Sequence, residues 1–145
     1  MNIKGVLFDL DGTLLDTSEL IVESFRYTFK QHCNYDISVS EVHDFFGKSL
    51  RLAMETLGKD KADELIDTYR EHNAKYHDEK IAIFPEVAET IKTMYDNGIK
   101  LAVVTSKTKK TALRGLKLFG LESYFSTVIG INECINPKPH PEPVN

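Results

Sequence analysis

Asp9 and Asp11 stand two residues apart where an apolar run, Ile3 to Phe8, breaks into Asp9-Leu10-Asp11-Gly12-Thr13. In near-extended backbone, residues at that spacing lean toward the same side. Two carboxylates about 4 Å apart repel by about 4 kcal/mol at an effective dielectric of 20, so such a pair calls for a cation. The Gly12-Thr13 that follows lets backbone N–H groups face the same point, an anion cradle beside the acids. Without a cation, the same string reads as a capped turn with two solvated acids. A second polar cluster, Thr105-Ser106-Lys107, ends another apolar run, and a third, Asn136-Pro137-Lys138-Pro139-His140-Pro141, lies in a proline-rich stretch. Taken singly, either of these is compatible with an ordinary loop.

Charge adds one more signal. The 145 residues carry 18 Lys+Arg against 22 Asp+Glu, net −4, which speaks against a nucleic-acid or anionic-membrane partner. Yet Lys100, Lys107, Lys109, Lys110, Arg114 and Lys117 fall in one stretch without an acid, which suits a phosphate group or a solvated helix face. The five histidines, His32, His43, His72, His77 and His140, show no i,i+4 pair of the zinc-binding kind and read as surface or packing residues. Cys33 and Cys134 are too few for a disulfide framework and are expected to be reduced. The first apolar run meets a carboxylate too early for a signal peptide, and no window approaches the roughly 20 apolar residues of a membrane span. A cytoplasmic location is therefore expected.

Elements must position these residues. With 41% hydrophobic and 28% charged residues and no low-complexity tract, the chain is globular rather than disordered or fibrous. Ile3 to Phe8 reads as a buried strand, and so do Ile99 to Val104 and the shorter Thr127 to Gly130. Helical spacing fills Glu86 to Asp96, stopped by Gly98, and Thr108 to Phe119, stopped by Gly120. Strands alternating with helices predict an α/β fold, a Rossmann-like parallel sheet with its ligand site at the carboxyl ends of the strands. Residues 16–82 differ, with no strand-like run but several helical stripes, among them Ile21, Phe25 and Phe29. Ser38-x-x-Glu41 has the pattern of a capping box. The expectation is a partial Rossmann-like core of residues 1–15 and 83–145 with a helical domain, 16–82, inserted between.

The string from Phe8 to Thr17 resembles the first motif, DxDGT, of haloacid dehalogenase-like phosphohydrolases. Thr105 and Lys138 match the second and third motifs of that family in the expected order. The resemblance implies that Asp9 is the nucleophile, forming an aspartyl phosphate, and that Asp11 is the general acid and base. It implies that Thr105, with Ser106 beside it, and Gly12 and Thr13 bind the phosphate, and that Lys138 steadies nucleophile and phosphoryl group. Mg²⁺ would be held by the Asp9 carboxylate and the Asp11 backbone carbonyl, hard oxygens of the kind that cation prefers. The helical insert is similar to the family's mobile cap, with Lys48 and Arg51 at a helix joint where they could meet a substrate's distal anion.

The family's fourth motif, an acidic GDxxxD after a further strand, has no counterpart between Lys138 and Asn145. The sequence thus resembles roughly two thirds of a family-length protein, with an incomplete metal site and a first strand left as an open apolar edge that could drive self-association. The expected substrate is a small phosphorylated metabolite, phosphoglycolate-like or pyrophosphate. Alternatives are a non-catalytic phosphate-binding relative, a receiver-like phosphoacceptor domain and, within the family, a sugar phosphomutase.

Overall fold

Three short parallel strands carry the site. A computed structural model describes residues 2–145. In it β1 (Gly5–Phe8) pairs with β4 (Lys100–Val104), which pairs on its other side with β5 (Thr127–Ile129), giving the order β1-β4-β5. The register sets Phe8 beside Val103 and Val104 beside Ile129, so all three strands end at one level. Two helices make the crossovers: α5 (Val87–Asp96) leads into β4, and α6 (Lys109–Leu118) joins β4 to β5. The strand and helix boundaries fall within two residues of those the apolar spacing predicts.

Period-two alternation decides what each strand buries. Leu101 and Val103 share one face and are buried, as are Ile91, Ala112, Leu116, Leu121 and Phe125 of the same unit, and Phe8 meets Phe125 edge to face at 6.2 Å. Leu7, paired with Ala102, points to the opposite face and is 55% exposed. Among the described strands β1 lies at a sheet edge, as expected.

One feature had no sequence signal. Leu15–Asp16 (β2) and Ala82–Ile83 (β3) form a two-stranded antiparallel ribbon, with Leu15 opposite Ile83 and Asp16 opposite Ala82. The chain accordingly divides into residues up to Asp16 with 82–145, and Thr17–Ile81, so Asp16 and Ala82 lie with the sheet and not with the helices. Two residues are too short to show periodicity, so the spacing predicts only hinges at 15–17 and 84–85 and no strand between them and the helices.

The second unit is helical, with α1 (Ser18–Cys33), α2 (Val39–His43), α3 (Leu50–Gly58) and α4 (Ala62–Lys80). Its own core gathers Phe25, Phe29, Ile37, Val42, Met54, Leu65 and Ile66. α2 opens with the expected capping box: Ser38 Oγ accepts the Glu41 N–H at 3.2 Å and Glu41 Oε2 accepts the Ser38 N–H at 2.9 Å. Tyr35 adds an O–H donor to the same carboxylate at 2.6 Å, and the Glu41 pKa lies below its ordinary value of 4.5, chiefly through that bond.

Gly130, at the end of β5, stands where a Cβ would lie 2.3 Å from the Lys109 nitrogen and 2.8 Å from its Cα. Backbone cannot yield as a side chain can, so Gly130→Ala is expected to cost about 1–3 kcal/mol, read as a lower urea midpoint for the sheet unit. Glu41 has a depressed folded pKa, so its contribution is full above the unfolded value and lost as the pH falls through the folded one. The deficit in urea midpoint of Glu41→Ala against the parent should therefore shrink as the medium is acidified through the carboxylate range.

Candidate active site

Strand geometry brings the predicted residues of the sheet unit to one place. Asp9 follows the last residue of β1, Thr105 follows the last residue of β4, and β1 and β4 are neighbours in register. A long loop after β5 carries Lys138 back, and its Nζ lies 3.2 Å from Asp9 Oδ1 and donates to the Val104 carbonyl at 2.8 Å. That ammonium thus spans the carboxyl ends of two adjacent strands. Asp9 Oδ1 also accepts the Leu10 N–H at 2.8 Å, which fixes the carboxylate against its own loop.

A second ion pair lies beside the first. Lys107 Nζ is 3.0 Å from Asp11 Oδ1, and both side chains are largely shielded, 17% and 23% exposed. Sequence reasoning placed Lys107 in the polar loop after the second apolar run and in the basic stretch but gave it no role of its own, because nothing local says which acid it meets. The same loop orients Thr105: its N–H donates to Ile129 O at 3.0 Å, and its buried hydroxyl accepts the Lys107 N–H at 3.2 Å. Ser106 follows it, half-buried. The two carboxylates that the sequence sets side by side are therefore neutralised by two lysines from remote parts of the chain.

The cradle expected from Gly12 and Thr13 is not formed by their amides. Gly12 N–H donates to Leu15 O at 2.8 Å, and Thr13 and Leu14 N–H donate to Leu10 O at 3.2 and 3.0 Å. These bonds close a tight loop in which Gly12 takes φ +76°, a conformation that explains the glycine. A turn so tight satisfies its donors internally, so its role is to hold Asp9 and Asp11 rather than to present N–H groups.

Lys48 and Arg51 belong to the helical unit. Lys48 Nζ lies 5.3 Å from the Phe45 ring centroid, and Arg51 pairs with Asp63 at 3.1 Å and Glu55 at 3.4 Å. Those two bonds, that to Asp63 foremost, raise the pKa of the guanidinium above its ordinary value. Its charge is already shared with two carboxylates.

Similarity to known proteins agrees with this geometry. A family model described as haloacid dehalogenase-like hydrolase matches residues 6–145. The chain belongs to that family. It is 46% identical over 144 residues, 99% of its length and 66% of the relative's, to a Caldanaerobacter subterraneus protein provisionally named pyrophosphatase PpaX. Identity to pyrophosphatase PpaX of Oceanobacillus iheyensis is 42% over 144 residues, 99% of this chain and 67% of that one. A Haemophilus somnus crystal structure, described as a predicted phosphoglycolate phosphatase, superimposes with TM-score 0.83 at 25% identity, covering 96% of this chain and 67% of that one. The chain spans about two thirds of the length of the curated relatives it matches. Within the haloacid dehalogenase-like family these are phosphatase-branch relatives with the same Rossmann-like core.

The two ion pairs have a chemical signature. In amine acylation followed by mass spectrometry, Lys107 and Lys138 should react about fivefold more slowly than exposed Lys110 and Lys117, the ratio that ~1 kcal/mol per retained hydrogen bond implies. Equal rates would contradict the arrangement.

Proposed function

We propose that this chain carries the phosphoryl-transfer site of a Mg²⁺-dependent phosphohydrolase acting on a small phosphorylated metabolite, pyrophosphate or a phosphoglycolate-like ester. The observation that carries this reading is the ammonium of Lys138 held between Asp9 and the Val104 carbonyl, with Asp11 and its lysine alongside. A carboxylate approaching a phosphate dianion meets like charge, so positioned cations are what the step requires.

In this reading an Asp9 carboxylate oxygen attacks phosphorus and the bond to the leaving oxygen breaks, with Asp11 giving that oxygen a proton. The aspartyl phosphate is then attacked by water. Asp11 takes the water's proton, phosphate leaves, and the Asp9 carboxylate is restored. Thr105 donates its hydroxyl hydrogen to a phosphoryl oxygen, and Lys138 neutralises both nucleophile and phosphoryl group. Lys48 and Arg51 are assigned to the distal part of the substrate, for which Arg51 exchanges Asp63 and Glu55, and the helical unit is assigned the part of the cap.

The donors suit the cation in kind. Asp9 and Asp11 offer hard oxygens, and Mg²⁺ often uses one or two carboxylates with water and substrate phosphate completing its shell. When bound, it supplies two positive charges against the reacting phosphate. Among the described residues no three His, Cys, Asp or Glu side chains gather at one point, so Asp9 and Asp11 are the donors assigned to the cation here. A second reading is phosphate binding without turnover, as in a non-catalytic relative.

One experiment separates the two. Phosphate release from pyrophosphate, phosphoglycolate and an aryl phosphate is followed with Mg²⁺ and with a chelator. The first reading expects release only with Mg²⁺, a loss of roughly 10³-fold or more in kcat for Asp9→Asn, and about 10²-fold or more for Asp11→Asn. Phosphate binding with no release in any of these assays would establish the second reading in its place.

A further inference from the structure

Lys138 sits in a stretch that also holds Pro137, Pro139, Pro141 and Pro143. Each proline removes a backbone N–H, so this loop has few main-chain donors with which to fasten itself. His140 N–H donates to Pro137 O at 3.0 Å, and Glu142 N–H donates to His140 Nδ1 at 3.1 Å. Three further bonds converge on one side chain. Glu142 Oε1 accepts the Ile135 N–H at 2.8 Å, while Oε2 accepts the Asn136 N–H at 3.0 Å and an Asn136 Nδ2–H at 2.8 Å.

A carboxylate that accepts several N–H groups is stabilised as the anion. The Glu142 pKa accordingly lies below its ordinary value, through the Ile135 N–H first and the Asn136 side chain next. The bonds join the two ends of the segment 135–142, and Lys138 lies between those ends. A lysine stem is flexible, so where its ammonium rests depends on how firmly its Cα is held.

We propose that Glu142 is a positioning residue for Lys138, its carboxylate clamping the two ends of the proline-rich loop so that the ammonium is delivered onto Asp9 and the Val104 carbonyl. The proposal rests on the reading of Lys138 as a catalytic lysine and adds the residue through which that lysine is placed. Glu142 itself touches no reacting atom.

The test compares the full chain with Glu142→Ala and Glu142→Gln by hydrogen exchange of the Ile135 and Asn136 amides, by acylation of Lys138, and by kcat and KM for an aryl phosphate with Mg²⁺. Glu142→Ala is expected to speed exchange at both amides about tenfold or more, the usual consequence of removing a charged acceptor. It should also raise Lys138 acylation several-fold with Lys107 unchanged, and lower kcat more than it raises KM. Glu142→Gln keeps one acceptor oxygen at the same reach and should recover part of each effect. If the alanine variant fails to fold, the glutamine variant must still show faster exchange and faster Lys138 acylation than the parent. Parental exchange and parental Lys138 reactivity in the folded variants would overturn the clamp. Lys138→Met serves as the separate control, since unchanged turnover there would sink the catalytic reading while exchange and acylation still judge Glu142.

Discussion

Two carboxylates set close together at the tip of one strand repel each other, and the site is organised around lysines that offset that repulsion. Asp9 and Asp11 are adjacent by covalent necessity, whereas their counterions, Lys138 and Lys107, come from loops that follow other strands. Each ion pair is partly shielded from water, which strengthens it relative to a surface pair but leaves both lysines open to new partners.

Parallel topology makes the convergence possible. A right-handed crossover returns the chain to the same end of the sheet each time, so every loop that follows a strand opens on one edge. β1 and β4 are separated by most of the chain yet lie side by side, because residues 17–81 form a helical unit with its own apolar core and the two-residue ribbon β2–β3 returns the chain to the sheet beside its point of departure. The insertion therefore leaves the register between Phe8 and Val103 undisturbed.

Loops, more than strands, decide how finely the site is set. The Gly12 turn spends its amides on Leu10 and Leu15 and so fixes the spacing of the two acids. The proline-rich segment uses the Glu142 carboxylate for a comparable purpose. In both cases a shortage or surplus of backbone donors within a few residues dictates the hydrogen bonding.

Much of this was legible in the sequence. The apolar runs and helical stripes located the strands and helices, the spacing of Asp9 and Asp11 announced a cation-demanding pair, and the resemblance to the family's motifs marked Thr105 and Lys138. Periodicity and local spacing carry such information because they depend only on residues close in the chain. Which lysine of the basic stretch meets Asp11, whether the Gly12 amides face a ligand or their own loop, where the helical unit begins, and that Glu142 grips Ile135 and Asn136 were settled by tertiary structure alone. Those outcomes depend on distances between groups remote in sequence or on hydrogen bonds chosen among several equivalent donors, and neither leaves a pattern that a one-dimensional string can display.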